Sequence, residues 1–308
     1  MAIVRSLPNT NVGRSRALSR GKKKNDDTPV AERFLSTPTT TRLNTIQPDY
    51  KSKMLVVDQK QAGSLNATAA KNVEVEKLRT LDSHFLQVFN FMVAEGKATP
   101  GDRAFYGMAA SSDAILPLFS EALVLEAAEK IISGEAARMA IAGAIAVPIP
   151  TVAEVTAQLT AFQTTNTAQS AAIDALDTAQ EAVTALNTEA DGVVKKVWDE
   201  VEAHFNEESI ESKRANSREY GVVYVSTEQF IISGRLKVTA TGLPPADAII
   251  TLLETGAIGT YAPAGGDFTL KTGLTGDGTL HIVSTGLPDK DVIVVLTGSD
   301  INVGEILL

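Results

Sequence analysis

The chain contains no cysteine, which removes disulfides, thiolate metal sites and thiol nucleophiles together. That gap leaves the redox compartment open, because a cysteine-free chain suits either environment. Aromatic residues fill only 5% of the 308 positions, against 44% apolar residues in all. A core must therefore be built mainly from Ala, Val, Leu and Ile, which suits packed helices and a small sandwich better than a large pocketed enzyme. Long apolar runs are missing too. The longest, Met139 to Pro150, has 12 residues with two prolines, well short of the roughly 20 that a membrane-spanning helix needs. The first residues lack the apolar run of about 7–15 that a signal peptide requires. Synthesis in the cytoplasm without a signal peptide is expected, with the final location open among a cytoplasmic assembly, a particle and an extracellular filament.

Chemistry-bearing patterns are equally sparse. The three histidines, His84, His204 and His281, have no second histidine or carboxylate at metal-ligand spacing. Neither G-x-x-x-x-G-K-[ST] nor G-x-G-x-x-G occurs, so no loop is marked for cradling phosphate. Gly276-Asp277-Gly278 reads as a tight turn between strands. The acidic residues Asp247, Asp267, Asp277, Asp289, Asp291 and Asp300 lie on separate turns rather than in a D-x-D-x-D-G loop, and read as solvated turn aspartates rather than calcium ligands. No catalytic, cofactor-binding or metal residue is assigned, no cofactor is expected, and an enzyme is the least favoured class.

What the chain does have is an uneven charge. Residues 1–35 carry eight Lys/Arg against three Asp/Glu, residues 36–220 carry 16 against 25, and residues 221–308 carry four against nine. Residues 1–40 show no helical or strand period and read as an extended basic arm that is disordered when alone. Three roles follow for a basic arm on an acidic body: a solvated tail, an arm laid on a neighbouring copy, or a nucleic-acid contact. The last is disfavoured, because the arm has a single aromatic, Phe34, to stack on bases and the body repels phosphate. In the second role Ile3, Val4, Leu7 and Leu18 bury against the neighbour. Arg14, Arg16, Arg20, Lys22, Lys23 and Lys24 then meet its carboxylates.

Residues 41–209 read as a helical domain. Tyr50, Met54, Val57, Leu65, Val75, Leu78, Phe85, Phe89 and Met92 recur at helical spacing. Pro48 is read as the opening of this helix and Gly96 and Pro100 as its end, giving a helix over about 48–95. Residues 97–150, broken by Pro117, Gly134, Gly143, Pro148 and Pro150, read as a helical cap. Thr151-Val152-Ala153-Glu154 is a capping box that opens a second long helix over about 152–206. Two long helices joined by a compact insert imply an antiparallel hairpin. It sets Phe89 and Met92 near Val155 and Leu159, Tyr50 and Met54 near Val197 and Val201, and Gly63 and its neighbouring alanines against Ala179, Ala182 and Ala185. The alternative is a broken bundle, with Gly63 and Gly192 as the breaks. Trp198 reads as a core residue or an anchor for the following domain.

Residues 210–220 form a charged linker, and from Gly221 to Leu308 the period changes to short strands with turn signals, an all-β sandwich. Within it Thr241-Gly242-Leu243-Pro244-Pro245-Ala246-Asp247-Ala248-Ile249 returns 44 residues later as Thr285-Gly286-Leu287-Pro288-Asp289-Lys290-Asp291-Val292-Ile293. The repeat predicts equivalent turns with Ile249 and Ile293 both buried. Gly234-Arg235-Leu236-Lys237-Val238, Asp247-Ala248-Ile249-Ile250 and Gly265-Gly266-Asp267-Phe268-Thr269-Leu270 together resemble the carboxypeptidase regulatory-like domain, a prealbumin-like sandwich, over residues 233–308. Leu236 stands in place of that family's Val, Ile250 occupies its A-x-V strand, and Asp267 separates Gly from Phe. The resemblance implies an accessory, adhesive or spacer module without catalytic residues.

The fold class is thus α+β and multidomain: an N-terminal extended arm, an elongated antiparallel helical hairpin or bundle with a helical cap, and a C-terminal β-sandwich. The expected function is that of a non-enzymatic structural protein that assembles with copies of itself into a filament, tube or phage-like particle, with another assembly protein as a further partner. The alternative is an adaptor or adhesin whose sandwich binds a glycan or a protein.

Overall fold

The computed structural model describes residues 3–308 and is α+β, with six α-helices and eight strands among those residues. It divides into two compact units, Val56–Gln180 and the combination of Met1–Leu55 with Glu181–Leu308. Among the described residues no helix is long and apolar enough to cross a membrane.

The Val56–Gln180 unit is helical. Helix α2 (Thr37–Ala94) enters it, a 3₁₀ helix covers Pro100–Tyr106, and α3 (Glu121–Met139) and α4 (Val152–Thr184) follow. The capping box forms as expected, Thr151 and Glu154 each accepting from the other's backbone N–H. α2 and α4 run antiparallel, as shown by Gln169 donating to Thr68 and Gln158 to Glu74. The core lies at the cap, where Phe85, Phe89, Met92, Val124, Ile131, Val155 and Phe162 are buried together, with Leu159 packed against them. That is the meeting expected of Phe89 and Met92 with Val155 and Leu159.

Away from the cap, burial stops. No residue from Val56 to Glu74 on α2 or from Gln163 to Thr178 on α4 is buried. Gly63 has nothing within 4 Å of the place a Cβ would occupy, so no close approach is made there, and Ala62, Ala69 and Ala70 are exposed. The sequence explains why. Leu65 and Val73 are the large apolar residues of this α2 stretch after Val57, and both are more than half exposed. On α4, Thr156, Thr160, Thr164 and Thr167 each donate to the carbonyl four residues back, a local bond that offers nothing to a facing helix.

The other unit begins with β1 (Ile3–Arg5) and α1 (Asn11–Asp27). The extended arm is therefore corrected: 17 of its residues form α1, opened by Thr10 accepting from the Gly13 N–H. α2 begins at Thr37 rather than near residue 48, and Pro48 lies inside the helix. Its start is fixed by tertiary contact, because the Glu200 carboxylate accepts from the Ser36 N–H and hydroxyl and from the Thr39 hydroxyl. Neither Gly63 nor Gly192 breaks a helix. The break comes at Ala185-Leu186, between α4 and α5 (Asn187–His204), where Leu186 N–H turns back to the Val183 carbonyl. The longer α2 also changes the partners. Tyr50 donates to Asn187, Arg42 pairs with Glu189 and Thr39 with Glu200, so Tyr50 lies about ten residues from the level expected beside Val197. The charged linker is also corrected, since Ile210–Glu219 forms α6, capped by Ser209.

The strands form one curled eight-stranded sheet. Two of its strands are long. β2 (Tyr224–Lys237) joins stretches expected to be separate, across a register shift between Val225 and Phe230. β6 (Asp267–Val283) runs through Gly276-Asp277-Gly278, so the expected tight turn there is corrected to a bend inside a strand. Gly276, at φ +92°, carries Arg218 against its α-carbon, and a Cβ at Gly278 would lie within 3.1 Å of Leu252, Leu274 and Leu296. Through that bend β6 pairs with β2 and β5 (Thr260–Ala262) by its first half, and with β3 (Ile249–Leu252) and β7 (Lys290–Leu296) by its second. β4 (Ala257–Ile258) extends β3, and β8 (Ile301–Leu307) lies parallel to β2. Phe230, Ile232, Leu236, Ile250, Leu252, Phe268, Leu270, Leu280, Ile282 and Leu296 fill the concave side.

Candidate interaction surfaces

The basic N-terminal residues are the first candidates, and the fold answers most of their charge within the same chain. Arg5 donates to Asp199 at 2.7 Å and Glu202 at 3.0 Å, with its guanidinium 6.0 Å from the Trp198 ring centroid. Arg14 holds Asp191 through two bonds of 2.7 and 3.0 Å, and that carboxylate raises the Arg14 pKa. Arg16 reaches Thr279 at 2.9 Å and Glu254 at 3.4 Å, while Lys24 pairs with Glu219. Lys22 and Lys23 close onto Asp26 and Asp27, one turn further along α1. Leu18 is buried at 1% exposure. Ile3 pairs with Ser226 as part of β1. Val4 and Leu7 alone among the apolar residues of this group remain exposed. Within the chain these residues thus meet α5, α6 and the sheet.

Burial opposes charge on Asp199, but Lys195 and Arg5 outweigh it and hold the carboxyl below its usual range. Burial likewise opposes charge on Glu200, where bonds from Thr39 and Ser36 prevail. Trp198 is fully buried, as expected of a core residue. Deleting residues 1–27 should therefore do more than remove a tail. It strips β1 and α1 from α5, and Trp198 fluorescence should shift to the red with loss of the cooperative transition in this unit. A truncated chain with native emission and an unchanged melting curve would show that α1 is dispensable to the fold.

Arg20 lines a second candidate, a cleft of about 530 Å³ that also takes in Arg218, Glu254, Thr275 and Asp277. Arg218 donates to Thr275, and burial lowers its pKa against the opposing pull of Tyr224. The cleft mixes both charge signs and has no group aligned as nucleophile and base.

The outer face of the second half-sheet is the third. β7 alternates exposed Ile293 and Val295 with inward Val294 and Leu296. Across β6, Ile249 and Ile258 are also exposed. The expectation that Ile249 and Ile293 are buried is therefore overturned. Each is followed by an inward residue, Ile250 or Val294, so both strands sit one residue out of the expected phase. The two repeats flank β6 on opposite sides, but Ile249 faces Val283 and Ile293 faces Thr279, four residues apart along the strand. They are linked directly, since Asp247 of the first accepts from the N–H and hydroxyl of Thr285 in the second.

No protein-family model matches this chain, and no curated protein matches it.

Several of the scattered turn aspartates are tied down. Asp267 pairs with Arg235, Asp291 with His281, and Asp300 accepts from the Ile231 N–H. Among the described residues no three His, Asp or Glu side chains gather as a set that could hold a metal ion. The signal for the exposed sheet face was legible in Val292-Ile293-Val294-Val295-Leu296, a run apolar on both faces of a strand. The turn signals drew the reading to one face only.

Proposed function

We propose that this chain is a non-enzymatic structural protein that assembles with copies of itself into a repeated filament, tube or phage-like particle. One observation carries the reading: the pair of helical segments, Val56 to Glu74 and Gln163 to Thr178, without a buried residue. Helices in water owe their stability mostly to tertiary packing of one face, and propensity alone leaves them marginal. Nineteen residues of α2 that bury nothing within the chain call for packing from outside it. The exposed face of Ile249, Ile258, Ile293 and Val295 supplies a second contact, and two distinct self-contacts on one chain propagate rather than close. On this reading the sheet domain serves as the accessory or spacer module that its likeness to regulatory-like sandwiches implies.

Size-exclusion chromatography with light scattering, followed by negative-stain imaging, tests it. The expected result is a concentration-dependent oligomer with a regular repeat. A chain that remains monomeric at every concentration rejects the reading. It then favours an adaptor or adhesin whose exposed sheet face binds a glycan or a protein partner.

A further inference from the structure

Inside the Val56–Gln180 unit, α2 carries one exposed stripe from Ala62 to Phe91 that no other element covers. Its members recur at helical spacing through Leu65, Ala69, Val73, Glu76, Thr80, His84 and Gln87, and all are exposed. Near its centre a groove of about 750 Å³ opens between Val73, Leu81 and Gln158 of α4.

The stripe is complementary to itself when reversed. About the midpoint of Glu76 and Lys77 the charges are antisymmetric, Glu74 and Glu76 on one side and Lys77 and Arg79 on the other. Two copies laid antiparallel about that point set Glu76 of each against Lys77 of the other. The same register sets Val73 against Thr80 and Ala69 against His84. Phe91, at 66% exposure, falls opposite Ala62 and beside Gly63, where the open space around Gly63 leaves room for a ring. A large residue thus meets a small one at each end of the stripe, and acid meets base at its centre.

We propose that this face of α2 is a two-fold, antiparallel interface with the α2 of a second copy. The inference rests on the self-assembly reading and names its contact. Within one chain Glu76 pairs with Arg79 and Lys77 with Glu74. These are one-turn surface bridges that contribute little and can be shared with a partner. A closed two-fold contact has the same patch on both sides, which is what the antisymmetric charge pattern provides. It also covers the α2 stretch that has no core, because residues 62–73 of each copy lie along residues 80–91 of the other.

The test uses the full chain and two charge reversals at well-exposed sites, Glu76→Lys and Lys77→Glu, compared with wild type by sedimentation equilibrium. Each variant alone places like charges across the axis twice per dimer. The dimer contact should weaken by about tenfold or more. An equimolar mixture of the two variants restores opposite charges at both places and should regain wild-type association. In the cysteine-free background, Asn66→Cys and Gln87→Cys chains should form a disulfide with one another when mixed, and neither with itself. If wild type associates and both variants associate equally well, the stripe is not the interface, and self-assembly stands on another surface. If both variants weaken but mixing restores nothing, the antiparallel register is wrong. A wild type that never associates overturns this proposal together with the reading on which it rests.

Discussion

Arg138→Ala should destabilise the Val56–Gln180 unit by about 3–5 kcal/mol, the cost of leaving one partner of a buried ion pair alone. Arg138 and Glu135 are 2% and 3% exposed, in the heart of the cap. Arg138 donates to Glu135 at 2.8 Å, to the Tyr106 hydroxyl at 2.7 Å and to the Ile145 carbonyl at 2.8 Å, and stacks over Phe89. Glu135 accepts in addition from Tyr106 and from the Val147 N–H. The network joins α3, the 3₁₀ helix and the segment leading to α4, so its loss is felt throughout the cap. Without Arg138 the Glu135 carboxylate stays in an apolar site, where burial already raises the Tyr106 pKa. Thermal melting by circular dichroism measures the effect. Trp198, the single tryptophan, belongs to the other unit and serves as an internal control. The helical transition should fall by roughly 10–20 °C while the tryptophan transition holds. The double variant Arg138→Met with Glu135→Leu should recover most of the loss, since apolar replacement of a whole buried pair is often neutral or better. A single variant melting within a few degrees of wild type would mean that water enters the cap and screens the pair.

Asp82 is the second large effect, with the opposite sign. It is fully buried on the α2 face it shares with Leu78, Phe85 and Leu86, and neither carboxylate oxygen has a hydrogen-bond partner. Desolvation by burial pushes its pKa up from 3.8 to about 7. The folded chain then holds a proton that the unfolded chain has released between those two values. The stability it contributes is complete below the unfolded value and is lost as pH rises through the folded one. A difference of that size corresponds to about 4 kcal/mol. Asp82→Leu should therefore gain up to about 4 kcal/mol relative to wild type at pH 8, and the gain should shrink steadily towards pH 4. The wild-type minus variant difference, from urea unfolding at a series of pH values, isolates this residue from the surface carboxylates. A difference that does not change with pH would show that Asp82 ionises as freely in the folded chain as in the unfolded one.

The sequence alone determined what local rules decide. Helical spacing placed Phe85, Phe89, Met92 and Val155 in one core. The Thr151 and Glu154 pair set the start of α4 to the residue, because a capping box is closed within four positions. Strand character after residue 221, the antiparallel hairpin at the cap and the buried Trp198 followed from pattern and composition. Tertiary structure decided what depends on distant partners. α1 has a composition too polar to predict a helix, and it exists where Asp191, Glu219 and Val197 of α5 receive it. α2 starts eleven residues early because Glu200, remote in sequence, caps it. Gly276-Asp277-Gly278 has the composition of a turn, yet Leu252, Leu274 and Leu296 crowd Gly278 and make it the bend of a long strand. The repeat showed that Ile249 and Ile293 are alike but not which face they take, since a period of two fixes alternation and leaves its phase to packing.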